Sequence, residues 1–396
     1  MANLVVVGAG YGGVMAGKRF ERSLVPFTII NKHSYHQFIT WLHEAAGGRR
    51  PVDEYKVELT DVFRKHTTTI VNDEVKSIDL KNKHVVGRNR PYPYDFVIIG
   101  VGSAPEFFGI PGLEKYSLQV RSLETARHIR TRIDEQVRAY RNDHDARRLR
   151  FVIGGAGLTG IEFVGELVEW LPKLCSSLNI DPSGLEIINI EAAPTILPAL
   201  STSLQEEALR VLKESGARMM TNTKIVKVEE NAVHLESGEV IEAMTIVWTG
   251  GVRAHPLLAE SGFTCDRRGR AQVNEYLQSA DDDHVFIVGD CAAFVQAGRP
   301  LPPTAQVATQ MGDLAARNVM AQLNNQPLVS FSPKLRGTLA SLGHRVGVGT
   351  IGNMQTRGTV AGFAKEMTKV KYLYELGGMR MVSREGAHLS REPLYQ

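Results

Sequence analysis

The chain has 396 residues, enough for two domains with a small third region, and its 43% hydrophobic and 22% charged content is that of a chain with a large buried core. A net charge of +3 gives no electrostatic reason to expect nucleic acid as a partner. Three widely spaced cysteines, Cys175, Cys265 and Cys291, exclude a disulfide framework and make a reducing cytosol the default compartment. No apolar run reaches the length of a membrane-spanning helix.

Leu4 to Val7 reads as a buried strand, not a signal peptide, because no basic segment precedes it and a glycine loop follows directly. Gly8, Gly10 and Gly13 have the G-x-G-x-x-G spacing of a dinucleotide-binding turn. In such a turn the first glycine makes the bend, the second lets a pyrophosphate approach the backbone, and the third lets helix pack on strand. A helix from Val14 to Leu24 and a strand from Phe27 to Ile30 complete a βαβ unit. The strand ends in Asn31-Lys32 where an acidic ribose ligand is usual, and Asn31 retains an amide able to bond a ribose hydroxyl. His33, His36 and His43 fit no zinc spacing, so no metal site is expected.

A strand at Phe96 to Ile99 leads into the small-residue turn around Gly102. The opening grammar then repeats: Phe151 to Ile153 as strand, Gly155, Gly157 and Gly160 as turn, Ile161 to Leu174 as helix, and Leu185 to Ile190 as strand. This second unit ends in Glu191, whose carboxylate suits two ribose hydroxyls and repels a 2′-phosphate, favouring NADH over NADPH. The added length between Gly155 and Glu191 is read as an extended helix and loop around Cys175 to Gly184. Strands at Thr245 to Trp248 and Val285 to Val288 follow; the latter ends in Gly289-Asp290, which suits a hydroxyl of a ribityl chain. A helix spans Thr304 to Leu323 and presents Gln306 and Gln310 one turn apart on one face. Glycine-rich strands from Leu339 to Ile351 precede a helix from Val360 to Leu376, and the polar tail from Ser383 reads as loose.

The order GAGYGG, GGAGLTGIEFVGEL, VWTGGVR, FIVGDCA and PPTAQVATQMG resembles the type II NADH:quinone oxidoreductases, from the N-terminus to about residue 380. The resemblance implies an α/β fold of two Rossmann-type domains, one for FAD and one for NADH, plus a C-terminal region for membrane association or dimerisation. It implies an FAD domain in two parts, 1–112 and 268–330, an NADH domain at 113–267, and a C-terminal region at 331–396. FAD contacts are carried over to Lys32, Thr40, Val75, Gly102 and Ala305, and an NADH contact to Gly251. Glu162 is placed beside nicotinamide and flavin, with burial expected to raise its pKa enough for proton transfer. Glu166, one turn on, is the weaker candidate.

Ala305 to Gln310 looks like that family's quinone-site signature, with menaquinone or ubiquinone as acceptor, no proton pumping, and residence on the cytoplasmic face of the cell membrane. Phe363, Met367, Val370 and Tyr374 line one face of the last helix, with Lys365, Lys369 and Lys371 on other sides and turned toward anionic lipid. Glu375, Arg380, Arg384 and Glu385 make this stretch more polar than the family's hydrophobic anchor. A homodimer is left open. Cys291 follows Asp290 but has no partner for a redox pair, and reads as a buried, inert thiol. Two other readings keep the cofactors: a soluble NADH-dependent reductase of a protein or small molecule, and a slow NADH-sensing flavoprotein.

Overall fold

A computed structural model describes residues 2–296 and 298–386. Five helices carry the functional argument: α1 (Tyr11–Arg22), α2 (Leu42–Ala46), α3 (Leu158–Ser177), α4 (Ala305–Leu323) and α5 (Gly358–Glu385). The chain divides into two compact units. The first contains residues 1–37, 56–104 and 252–335, and the second 38–55, 105–251 and 336–396.

The first unit is built on a five-stranded sheet ordered Val285–Ile287, Phe96–Ile99, Leu4–Val7, Phe27–Asn31, Thr68–Asn72, with every neighbouring pair parallel. Leu4–Val7 and Phe96–Ile99 are buried at every position, as central parallel strands covered on both faces must be. A three-stranded antiparallel meander, Val75–Asp79, His84–Gly87 and Pro91–Pro93, is added to it. α1 packs closely on α4: a Cβ on Gly312 would stand 1.9 Å from the carbonyl oxygen of Gly12.

The second unit repeats the plan. Its parallel sheet runs Leu118–Gln119, Thr245–Trp248, Arg150–Gly154, Glu186–Ile190, Ala217–Met220, with a meander of Ile225–Glu229, Ala232–Leu235 and Val240–Glu242. α3 runs on to Ser177, and a short 3-10 turn at Pro182–Gly184 completes the added length expected before Glu191. A further antiparallel sheet, Leu339–Ser341, Gly347–Ile351 and Met354–Arg357, leads into α5.

α5 departs from expectation in two ways. It is broken at Gly377 and Gly378, where Gly378 takes φ 66°, and it then continues as helix through Ser383 to Glu385. The loose tail expected from Ser383 otherwise lies at 387–396, outside the described residues. Two of its three lysines also turn inward. Lys369 is buried and Lys365 nearly so, while Val360, Phe363, Met367, Tyr374 and Met379 are exposed. The expected lysine-to-lipid orientation is therefore corrected for these two residues. Buried acids hold them inward, and that attraction decides which side of the helix packs. Lys371 faces outward and pairs with Glu375 at 3.2 Å.

Gly312→Ala is predicted to force α1 from α4 and cost about 2 kcal/mol or more, read as a lowered thermal midpoint against wild type.

Candidate functional site

Both glycine loops use their three glycines for the same three tasks. Gly8 and Gly155 take φ 90° and 98°, and a Cβ on either would strike the backbone of the strand-end loop beside it. Gly13 and Gly160 pack so closely that a Cβ would lie 1.8 and 2.1 Å from the carbonyl oxygens of Gly8 and Gly155. The middle glycines face open space: nothing lies within 4 Å of a Cβ on Gly157, and only the Gly100 oxygen, at 3.8 Å, on Gly10. Gly10 and Gly157 are also the N-caps of α1 and α3, and neither helix has a side-chain cap. Uncapped amide donors at the positive end of a helix dipole, beside a surface that only glycine leaves open, fit a pyrophosphate in each unit.

The residue between the first two glycines is held alike in both loops. The Ala9 amide donates to Asn31 Oδ1 at 2.9 Å, and the Ala156 amide to Glu191 Oε2 at 2.7 Å. Asn31 directs its own amide to the carbonyls of His33 and Tyr35 at 2.8 and 3.3 Å. Glu191 Oε1 accepts from the Ala193 amide at 2.8 Å, and its remaining lone pairs suit ribose hydroxyls. Lys32 is exposed and sits 3.5 Å from Glu74. His36, unnoticed as a site residue in the sequence, is fully buried with Nδ1 2.7 Å from the Ala9 oxygen, bracing the first loop.

In the first unit a cleft of about 480 Å³ is lined by Ser103, Arg268, Asp290, Thr304 and Val307 among others. Asp290 accepts from the Ser103 hydroxyl at 2.9 Å and suits a ribityl hydroxyl. Gly102, with φ 74° and an open side, precedes it. Val75 begins the meander of this unit. Ala305 and Gln306 open α4, whose N-cap Thr304 accepts from the Val307 amide. Gln310 does not project a free amide: Nε2 donates to the oxygens of Gln306 (2.7 Å) and Lys334 (3.2 Å), and Oε1 accepts from the Lys334 amide (2.8 Å). Cys291 is buried, and burial pushes its thiol up to about 12, consistent with an inert group.

The second unit holds Glu162 in a cluster that sequence reading did not anticipate. Every residue from Trp41 to Arg50 is buried, including His43, Glu44, Arg49 and Arg50. Gly47 lies against Glu166, and Gly48, with φ 74°, lies on the Trp170 ring. α5 adds Lys365 and Lys369. Glu162 sits 2.5 Å from Lys365 Nζ and 3.5 Å from His43 Nδ1, and it accepts from the Ser341 amide at 3.1 Å. Arg49 makes a two-pronged contact with Glu166, one arm at 2.9 Å.

Burial does act to raise the Glu162 carboxyl, but Lys365 and His43 outweigh it, and the group is held below the ordinary glutamate range. The expected rise is thus corrected. It appears instead at Glu166, where burial outweighs the opposing pull of Arg49. A charge pattern was the available signal: two arginines after a double glycine, and lysines four apart in α5, opposite its apolar face. Thr40 is exposed just before the buried run, and Gly251 lies against the Phe108 ring.

Two glycine cradles on two repeated parallel sheets define a class of two-dinucleotide oxidoreductases. Residues 2–312 match the family model for pyridine nucleotide-disulphide oxidoreductases. Over 394 residues the chain is 34% identical to a type II NADH:quinone oxidoreductase of Staphylococcus saprophyticus, covering 97% of this chain and 98% of that one. It is 35% identical to the Staphylococcus epidermidis protein of the same name, with the same coverage. The solved structure of NDH2 from Plasmodium falciparum in complex with NADH superposes with a TM-score of 0.88 over 100% of this chain and 99% of that one; at 16% identity this speaks to fold alone. The chain belongs to the type II NADH:quinone oxidoreductases.

His36 and His43 are pushed down to about 4, chiefly by burial, with Glu162 and Glu44 opposing at His43; the ordinary value is 6.5. Between those values the unfolded chain binds protons that the fold does not, so stability falls as pH drops through the window. The slope is at most about 1.4 kcal/mol per pH unit for each histidine. The thermal midpoint is predicted to be lower at about pH 5 than at about pH 7, with His36→Gln flattening the dependence. Arg49→Met leaves Glu166 buried and unpaired, with an expected loss of about 3–5 kcal/mol, read by chemical denaturation.

Proposed function

We propose that this chain oxidises NADH and reduces a quinone, with FAD in the first unit and NADH on the second. The observation that carries this reading is the pair of uncapped helix N-termini at Gly10 and Gly157, each behind its own glycine turn. FAD bound in the first unit would supply the two-electron chemistry between NADH and the quinone. The chain binds and orients. Asp290 holds a ribityl hydroxyl. Glu191 holds the NADH ribose and repels a 2′-phosphate. Glu162, kept ionised by Lys365 and His43, is the buried base nearest the start of α3 and takes or returns a proton there. The turn of α4 with Ala305 and Gln306 borders the quinone, and Gln310 fastens the Lys334 segment behind it.

Membrane attachment belongs to the same reading. Among the described residues no helix is long and apolar enough to cross a membrane. The exposed Phe363, Met367 and Tyr374 of α5 form an apolar strip suited to lying in a lipid interface, where the quinone is dissolved. In this reading the protein lies on the cytoplasmic face of the cell membrane. The double substitution Phe363→Asp with Met367→Asp is predicted to reduce co-sedimentation with lipid vesicles while leaving NADH oxidation with a soluble quinone analogue intact.

The direct test is anaerobic rapid mixing. Protein bleached by NADH is expected to be reoxidised promptly by a soluble ubiquinone or menaquinone analogue. Bleaching without reoxidation by either would move the acceptor to another partner. Glu191→Ser is expected to narrow the preference of kcat/KM for NADH over NADPH by about tenfold, ~1.4 kcal/mol.

A further inference from the structure

Reduction of a quinone by NADH consumes a proton: NADH, quinone and one H+ give NAD+ and quinol. Two electrons and one proton travel as hydride, and the second proton comes from water. Glu162 is buried, and so is the whole stretch from Trp41 to Arg50 beside it. Ionisable groups packed beside Glu162 can carry a proton to it.

The second unit holds such groups in sequence. His43 stands between two carboxylates, with Nδ1 3.5 Å from Glu162 and Nε2 3.7 Å from Glu44; the Ser341 hydroxyl is 3.5 Å from Nε2. Glu44 Oε1 accepts from Lys369 Nζ at 2.5 Å. The same Nζ donates to both oxygens of Glu366, at 2.7 and 2.9 Å. The Glu366 side chain is 21% exposed, whereas those of Lys369, Glu44 and His43 are at 5% or less. Glu366 opens on a pocket of about 450 Å³ whose walls include Tyr55, His344 and Glu385.

We propose that Glu366, Lys369, Glu44 and His43 form a proton path from this pocket to Glu162. The proposal rests on the reading of the chain as an NADH:quinone oxidoreductase. Each hop balances. Glu366, as the acid, gives its proton to Lys369 while Lys369 gives one to Glu44, so the ammonium is restored. Glu44 then protonates His43 Nε2, and His43 releases its Nδ1 proton to Glu162. Water in the pocket reprotonates Glu366.

Burial would raise the Glu44 carboxyl, but Arg49 and Lys369 outweigh it and hold the group well below the usual glutamate range, so Glu44 carries a proton only in passing. Burial and the nearby Glu44 raise the Glu366 carboxyl, outweighing Lys369 and Arg49, which makes it the group able to load a proton at the entrance. His43 is pushed down to about 4, so it holds the proton only in passing. Arg49, Glu166 and Lys365 also face the path, the Tyr55 hydroxyl donates to Glu44 at 3.4 Å, and Arg50, Glu54 and Glu385 line the pocket; Arg49 keeps Glu44 ionised between hops and Lys365 does so for Glu162. A buried ion cluster adds little stability over apolar packing of similar volume.

The test uses the FAD-loaded protein with Glu366→Gln and His43→Asn, and Glu54→Gln as the control. Glu54 lines the same pocket but pairs with Arg50, off the path. Reduction by NADH is expected to stay at the wild-type rate in Glu54→Gln and to fall less than reoxidation in the other two. Reoxidation by a soluble quinone analogue is expected to slow by about tenfold or more in the first two only, with a larger solvent deuterium isotope effect and partial rescue of Glu366→Gln by small weak acids. In 15N-histidine spectra of the oxidised protein, the His43 signals should shift in Glu366→Gln and not in Glu54→Gln. Wild-type reoxidation rates and isotope effects in both path variants would overturn the proposal. So would equal losses in both half-reactions with a lowered thermal midpoint, which would make the cluster purely structural. A wild-type protein that no quinone reoxidises would overturn the functional reading itself, and the path with it.

Discussion

Charges buried without water must find partners, and in this chain that requirement organises the second unit. The segment from Trp41 to Arg50 brings a histidine, a glutamate and two arginines inside. Gly47 and Gly48 let it lie directly on Glu166 and Trp170 of α3. Removing either partner of such a pair leaves a bare charge at a cost of several kcal/mol. α5 is therefore held by Lys365 and Lys369, and its apolar residues Phe363, Met367 and Tyr374 are left outside. One set of ion pairs thus holds Glu162 toward its ionised form, seats α5 and leaves its apolar strip exposed.

The first unit depends on a simpler constraint. A helix that begins directly at a strand end leaves no room for a side chain at the turn, and the triads Gly8, Gly10, Gly13 and Gly155, Gly157, Gly160 meet it in the same way. The two units differ where chemistry asks them to. Asn31 directs its amide to its own loop, while Glu191 stands at the equivalent place with carboxylate lone pairs to spare. In the proposed reading that difference separates a cradle for FAD from one that also selects against a 2′-phosphate.

The backbone plan was legible because it is local. A β-branched run, a glycine triad and a helical pattern recur within about 40 residues, and hydrophobic periodicity carries that information. The strand-end positions of Asp290 and Glu191 were legible for the same reason. The cluster around Glu162 was not, because its members come from residues 43–49, 162–166 and 365–369, and nothing in the sequence shows that these meet. The apolar stripe of α5 was legible too; what was not is that Lys365 and Lys369 turn inward, because the buried acids they pair with come from distant segments. The pKa of Glu162 failed likewise: burial alone argues for a rise, and only the placement of Lys365 reverses the sign.

The central claim is that the chain carries two separate dinucleotide cradles, one for a resident flavin and one for NADH. Anaerobic titration of the purified yellow protein with NADH, followed by flavin absorbance, tests it most directly. The account predicts one FAD per chain, fully bleached by one equivalent of NADH, with NADPH far slower. A protein that retains no flavin when folded, or whose flavin NADH leaves oxidised, would contradict it.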